Sequence, residues 1–506
     1  MPAYHWPYCM QYRAVNPVSS IKKIFCLIIF LFVVAQVHSQ KTKTPDFIFT
    51  DTALLTRNNY KVCIKELEVT GTKKTKVYIV HREIHFKKGD SLLVSHLQKE
   101  LEQARTQVYN TSLFNEVKFE LVALDSVNIS IAVRVSERWY IYPIPQFKLV
   151  DRNFNEWWKT YNHSLSRVDY GIKFVHYNLS GRRDQLRIYL INGYTRNISF
   201  SYNAPYSNRA LTEGFIVGGG YNQRRELPYK TNYNDSLLFY PSNPVIKEKA
   251  DFVYKSWYLN AGYSIRKGLF KKQLFSISYS HLSIADSVID KQYNPNYFND
   301  SVTSKGFFDF VYTLQYSKVN NNSYPLTGKT GFLQIQKRGL GFTGGINMLS
   351  VEAGYNKYYA MGKNWYGSFQ LYAKIKLPFT QAYINQRGLG YGENYLRGLE
   401  YYVIDGVATA LTKYTLKKKI VSFEVPFRLF PKLFTKIPFT FFAKTYGDLG
   451  YVYTKNIYTT RLNNRLLCSA GFGIDILTLY DINLRFEYSF NQLGENGLFL
   501  HNQSGF

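Results

Sequence analysis

The sequence predicts an all-β transmembrane barrel of about 16 antiparallel strands preceded by one small α+β domain. Three observations carry that prediction. From about residue 140 to the C-terminus, apolar and polar residues alternate with a period of two in segment after segment, without sustained helical periodicity. Aromatic residues are abundant, with 45 Tyr, 37 Phe and 6 Trp, whereas Cys and Met number four each. The longest purely apolar run, Ile24–Ala35, is 12 residues long, and a spanning helix needs roughly 20. Mean hydropathy is −0.26, which excludes a helical-bundle membrane protein. A hydrophobic content of 45% supports a sizeable core and excludes a disordered chain.

Taken in order, the elements begin with a targeting segment. Lys22 and Lys23 precede Ile24–Ala35, and Val37-His38-Ser39 stands before Gln40. A positive n-region, an apolar h-region and a cleavage site predict a signal peptide over 1–39. Cys26 lies inside the apolar stretch rather than at its end, which argues against a lipoprotein signal. Removal of Arg13, Lys22 and Lys23 takes the formal charge from +28 to 28 − 3 = +25. Cys63 and Cys468 remain, too few and too far apart for a disulfide scaffold. No C-x-x-C occurs and the nine His are scattered singly, so neither a metal nor another cofactor is expected.

A polar linker over 40–59 leads to a mixed segment over 60–138. Tyr60–Val69 reads as a strand that Gly71-Thr72 turns. Val77, Val80 and Ile84 mark a short helix, which Gly89-Asp90 ends. Leu97, Leu101, Ala104 and Val108 mark a second helix, with Ser91 or Ser95 as its cap. Two alternating runs follow, Val117–Leu121 and Val127–Val135, joined across Asp125-Ser126. The order is β-α-α-β-β, and the open edge of such a sheet offers unpaired N–H and C=O groups to an incoming strand.

Residues 139–506 divide into sixteen alternating segments, the even number that a closed single-chain barrel requires. The first spans 140–150, the eleventh 364–378, the twelfth 417–429 and the last 497–506. A soluble sandwich turns its apolar face inward, whereas a membrane barrel turns it to lipid and keeps polar residues in the lumen. Gly, Ser, Asn and the pair Arg485/Glu487 on the polar faces fit a wet lumen. Aromatics at strand ends fit interfacial girdles. With the first strand running outward from the small domain, each odd-to-even connection lies on the far side. The longest gap, 379–417, is then the sixth outer loop.

That loop holds Arg387-Gly388-Leu389-Gly390-Tyr391-Gly392-Glu393-Asn394-Tyr395-Leu396-Arg397-Gly398-Leu399. A phosphate-binding loop would need a strand–turn–helix context, which is missing. The remaining readings are a plain surface loop and a tip that inserts into the lumen and sets its arginine on carboxylates, which match guanidinium geometry. Glu424, in Phe423-Glu424-Val425-Pro426-Phe427, and Asp448, in Tyr446-Gly447-Asp448-Leu449-Gly450-Tyr451, both face inward by phase.

Two stretches resemble known families. The β-α-α-β-β order, with Asn110-Thr111-Ser112-Leu113-Phe114-Asn115-Glu116-Val117 before the hairpin, resembles a POTRA domain, a periplasmic module that binds unfolded or partner chains at a sheet edge. Leu396-Arg397-Gly398-Leu399, Phe423-Glu424 and Gly447-Asp448-Leu449-Gly450 resemble motifs of the BamA/TamA outer-membrane assembly family, the bacterial surface antigens. Pro325-Leu326-Thr327-Gly328 fits as well. The resemblance covers roughly 60–506 and departs in having a single POTRA-like module and Leu399 where an aromatic is usual.

The resemblance implies a loop-docking network of Arg397, Gly398, Glu424 and Asp448 inside a sixteen-stranded barrel. It further implies a non-enzymatic factor for assembly, insertion or translocation in the outer membrane of a Gram-negative bacterium, with the POTRA-like domain in the periplasm. Its partners would be unfolded outer-membrane or exported clients, the bilayer with lipopolysaccharide, and accessory periplasmic or lipoprotein subunits. Nucleic acid is not expected, because the basic residues are dispersed. A dedicated exporter for few clients and a passive porin are the alternatives. Pro143 and Pro145 in the first strand, and Gly505 and His501 in the short last one, suggest a weak seam. Gln146, Lys148, Leu498 and Leu500 are its candidate residues.

Overall fold

A computed structural model of the protein describes residues 47–49, 60–149, 167–241, 252–342, 344–426, 436–455 and 460–503. The expected signal peptide lies outside these residues, as do Gly505 and the end of the last strand.

The small domain comprises β1 (Phe47–Phe49), β2 (Lys61–Thr70), α1 (Val77–Glu83), β3 (Ser91–Leu93), α2 (Val94–Tyr109), β4 (Phe114–Ala123) and β5 (Asn128–Glu137). Leu97, Leu101, Ala104 and Val108 are buried along one side of α2, as their helical spacing predicts, against Ile64, Phe119 and Ile131 of the sheet. Neither Ser91 nor Ser95 caps α2, which starts directly from the extended Leu93. The sheet order is β1-β4-β5-β2-β3. One edge of the sheet, that of β4, thus carries a strand from the linker, where the sequence predicts an open edge without assigning it to a strand.

The barrel strands are β6 (Ile141–Leu149), β7 (Val168–Tyr177), β8 (Gln185–Gly193), β9 (Thr195–Ala204) and β10 (Glu213–Arg224). A separate hairpin, β11 (Leu227–Thr231) and β12 (Leu237–Tyr240), follows. Then come β13 (Tyr254–Ile265), β14 (Lys271–Ile284), β15 (Ser304–Val319), β16 (Gly328–Arg338), β17 (Met348–Ala360) and β18 (Trp365–Leu377). After the short pair β19 (Arg387–Leu389) and β20 (Ile404–Asp405), the sheet resumes with β21 (Ala408–Pro426), β22 (Lys436–Tyr453), β23 (Leu466–Leu477), β24 (Asn483–Asn491) and β25 (Asn496–Gln503). The sixteen barrel strands form one antiparallel meander from β6 to β25.

The twelfth barrel strand departs from expectation. β21 begins at Ala408 rather than 417. Both of its faces carry Thr and Lys or Tyr over 409–417, so a hydrophobic alternation is hidden there. The loop before it shortens to 378–407.

The outer face of the sheet is apolar and uncovered: Leu190, Phe200, Leu259, Phe275, Leu371 and Phe472 are all exposed. The inward face carries Asp309, Lys444, Asp448 and Glu487, all buried. This inversion is that of a barrel whose outer face meets lipid. Among the described residues no helix is long and apolar enough to cross a membrane.

The small domain packs on one rim, against the even-to-odd turns. Glu83 receives two hydrogen bonds from Arg266, at 2.6 and 2.7 Å, and one from Tyr206 at 2.6 Å. Arg138 pairs with Asp481 at 2.9 Å. Asn110 donates to the carbonyl of Val319 at 2.9 Å, and Asn178 to Thr75 at 2.9 Å. These contacts fix which connections share the domain's side and leave 378–407 on the opposite one.

Candidate functional site

The loop over 378–407 is anchored before it turns inward. Lys376, buried at the end of β18, donates to the carbonyls of Asn385, Arg387 and Gly406 at 2.7, 2.5 and 3.2 Å. A single ammonium thus holds both limbs of the loop. β19 pairs with β20, and the Tyr391 hydroxyl donates to Asp405 at 2.5 Å. The tip, Glu393–Leu399, then lies within the lumen.

Arg397 is the centre of the tip. Its Nε donates to Asp448 Oδ2 at 2.9 Å and its Nη2 to Oδ1, a bidentate pair, while its backbone N–H reaches Oδ2 at 3.0 Å. Nη1 donates to Thr415 at 3.0 Å and lies 3.8 Å from Glu487. The guanidinium stacks 3.9 Å above the Tyr446 ring centroid, a geometry that lysine does not reproduce. Arg397 is 8% exposed and Asp448 1%, so each charge depends on the other for solvation.

Two glycines make the docking fit. Gly398 has φ +90°, and a Cβ there would meet the Cβ of Ser489 at 2.9 Å. Its N–H donates to Glu400 at 2.6 Å, and its carbonyl accepts from Asn491 at 2.8 Å. Gly450 leaves room for Leu396, whose Cδ1 would stand 2.7 Å from an added Cβ. Leu396 and Leu399 are buried with Leu411 and Val452.

Glu424 is not part of this arrangement. It keeps the inward phase, pairing with Pro438, but Asp448 pairs with Lys413. Ten residues along β22 separate those rungs, about 33 Å at the rise of an antiparallel strand. Glu424 instead lies exposed, 3.4 Å from Lys436. The early start of β21 causes this, because it moves Glu424 from mid-strand to the domain side.

The second carboxylate near Arg397 is Glu487 on β24. It accepts from Lys444 at 2.7 Å and lies 3.3 Å from His501 Nε2. Lys444 also pairs with Asp475, which receives the Tyr324 hydroxyl at 2.7 Å and faces Lys417 at 3.4 Å. Lys444, Asp475, Tyr324 and His501 were not singled out from the sequence as members of the network. The Arg485/Glu487 alternation and Tyr324 before Pro325 were the signals available. A lumenal cavity of about 610 Å³, lined by Lys413, Lys417, Arg485 and Glu487 among others, adjoins the tip.

His501 also stacks on Tyr395 of the tip, with ring centroids 5.3 Å apart, and lies 3.4 Å from Glu400. The last strand is therefore tied to the loop. Among the described residues no ladder joins β25 to β6. Register assigns the candidate seam residues to opposite faces. Gln146 and Lys148 pair with the inward Gly171 and Asp169, whereas Leu498 and Leu500 pair with the outward Tyr488 and Phe486. A direct cross-link of Gln146 or Lys148 to Leu498 or Leu500 is ill-placed, because successive side chains alternate faces.

Residues 62–138 match the family described as "POTRA: Surface antigen variable number repeat". Among curated proteins none matches the chain in sequence. Among solved structures the chain is similar to BamA from Haemophilus ducreyi lacking POTRA domains 1-3, at 12% identity over 87% of this chain and 84% of that one, with a TM-score of 0.48. It is also similar to CdiB from Escherichia coli, at 11% identity over 92% and 90% with a TM-score of 0.48. CdiB from Acinetobacter baumannii gives 11% over 88% and 74%, with a TM-score of 0.47. A surface-antigen POTRA domain followed by a sixteen-stranded barrel is the domain order by which this chain resembles the BamA/TamA-like surface antigen family.

Proposed function

We propose that this protein is an outer-membrane assembly factor of a Gram-negative bacterium, which inserts or translocates client proteins through a POTRA domain in the periplasm and a barrel that opens at its seam. The observation that carries this reading is the seam. β6 holds Pro143 and Pro145 and is exposed on both faces over much of its length, and no ladder joins it to β25 among the described residues. Proline cannot donate to a ladder, and a strand edge that opens is a template for an incoming strand. The clients would be unfolded barrel or exported chains, and the outer leaflet would supply lipopolysaccharide phosphates for a basic barrel. Arg397, Gly398 and Asp448 would hold the loop in the lumen while the seam works. Accessory periplasmic or lipoprotein subunits fit the same reading. No covalent chemistry is part of it.

The one POTRA domain among the described residues favours a second reading, a dedicated exporter for few clients. A passive porin is disfavoured by the loop tip in the lumen and the domain on the rim.

The test is a seam lock with residues on one face. Cysteines at Phe147 and Leu498, or at Gln146 and Phe499, are placed in a Cys63→Ser, Cys468→Ser background and the protein is reconstituted in vesicles. Client insertion is read by protease protection. The locked form should keep its unboiled gel mobility and lose insertion, and reduction should restore it. Full insertion by the locked form overturns the lateral-opening reading.

A further inference from the structure

We propose that the linker strand β1 is a built-in competitor for the client site of the POTRA domain. The inference rests on the reading of that domain as the client receiver. β1 pairs in parallel with β4, Phe47 opposite Phe119, Ile48 opposite Glu120 and Phe49 opposite Leu121. Without β1 the sheet would end at β4, which is paired with β5 on its other side. The edge is thus a working acceptor for an extended segment, and the structure contains it in the occupied state.

The register indicates which segment the edge takes. Phe47 and Phe49, the linker's two aromatics, hold the register positions opposite Phe119 and Leu121, which are buried at 1% and 2% exposure. A segment with bulky apolar residues at alternate positions fits, and that is the pattern of an unfolded barrel strand. The partner class is therefore an extended, aromatic-alternating strand, added by main-chain hydrogen bonds with side-chain selection at every second position.

The tether permits this competition. Eleven residues, 50–60, connect β1 to β2, and they reach about 36 Å when extended. β1 lies three strand spacings from β2 across the sheet, about 14 Å. A segment tethered this closely competes at an effective concentration on the order of mM. A weak free client is then excluded, and one with a longer matching strand displaces β1. If the edge is free in about a tenth of the molecules, the apparent affinity for a client falls about tenfold.

The experiment uses the full chain in detergent and a fluorescein-labelled peptide copying residues 483–491, a barrel strand of the required pattern. Phe47→Pro with Ile48→Pro removes a ladder donor from β1 whichever of the two faces β4, because alternate residues bond to a given neighbour, and should tighten peptide binding by about tenfold, the factor expected from the occupied fraction. Ile48→Cys with Glu120→Cys, in a Cys63→Ser, Cys468→Ser background, should form a disulfide under mild oxidation. That lock should abolish binding, with recovery on reduction. Equal peptide binding by the wild type, the proline variant and the locked form would overturn the competitor while leaving a client site elsewhere on the protein. Failure of the 48–120 cysteines to join would also overturn it. No binding by any form, the proline variant included, would overturn both the competitor and the receiver reading.

Discussion

Arg397 and Asp448 are each buried, at 8% and 1% exposure. Removing one partner of such a pair strands the other, a loss of roughly 3–5 kcal/mol. Arg397→Ala should therefore release the tip and raise protease cleavage within 378–407, and Asp448→Ala should do the same. Because both variants break one bidentate contact, their effects should fall well short of additive in a double-mutant cycle. Arg397→Lys should rescue poorly, since lysine cannot span both carboxylate oxygens and stack on Tyr446. Strict additivity of the two alanine variants would show that the pair is not a unit. The same residues mark how far the sequence could be read. Arg397 and Asp448 were legible because a glycine-flanked arginine and an inward carboxylate have few other uses. Glu424 was misplaced because phase gives the face of a strand and not its height, which depends on where the strand begins. Glu487 stayed hidden among several inward charges, since its tie to the tip depends on three-dimensional proximity across strands.

The elements around the barrel show the same division. Sixteen strands and their order could be counted, because each carries a period-two pattern over at least part of its length, β21 only beyond 417. The partner of β4 could not, since three residues of linker carry no pattern long enough to reveal a strand. Nor could the cap built by the β11–β12 hairpin. Asp235, at its turn, is fully buried, accepts from Thr460 and from the Leu462 N–H at 3.0 Å, and its carbonyl accepts from Val403 at 2.9 Å. Burial pushes its carboxyl up from 3.8 to about 6, against those hydrogen bonds. Ionisation therefore costs the cap, by an amount absent below the ordinary value of 3.8 and complete above about 6. Glu83 at the opposite rim has the reverse sign. Burial raises its carboxyl, but the hydrogen bonds and charge of Arg266, with help from Arg183 and Tyr206, hold it below the ordinary 4.5. Docking of the POTRA domain should thus be intact above 4.5 and weaken as pH falls below it. Limited proteolysis with an acid-active protease from neutral pH downward should show the hairpin becoming more resistant while the domain junction becomes less so. Asp235→Asn should flatten the hairpin profile at its acid level without altering the junction. A hairpin profile that is flat in the wild type would remove the titration of Asp235 from the account.

At the scale of the molecule, the POTRA domain braces the sheet near both of its ends. Asn178 bonds to Thr75 in the turn between β7 and β8, the first turn on the domain's side after β6. Asp481, between β23 and β24, pairs with Arg138 and accepts from Tyr109 at 3.1 Å. Glu83 grips the middle through Arg266 and Tyr206. A rigid body fixed to turns on either side of a seam resists its widening, and coupling of this kind needs no contact with the seam strands themselves. Freeing one grip leaves the others, so Arg138→Ala alone should change little. Freeing two of them with Arg138→Ala and Glu83→Gln should loosen the domain on the rim and let the seam widen beneath it. In planar bilayers the double variant should then conduct ions in longer and larger openings than the wild type, whereas each single variant should resemble the wild type. The same-face lock between Phe147 and Leu498 separates the two ways this could arise. If the added conductance passes through a widened seam, the lock should abolish it. If it passes through a lumen merely uncovered on the domain side, the lock should leave it unchanged, and the brace would then act as a lid rather than as a strut.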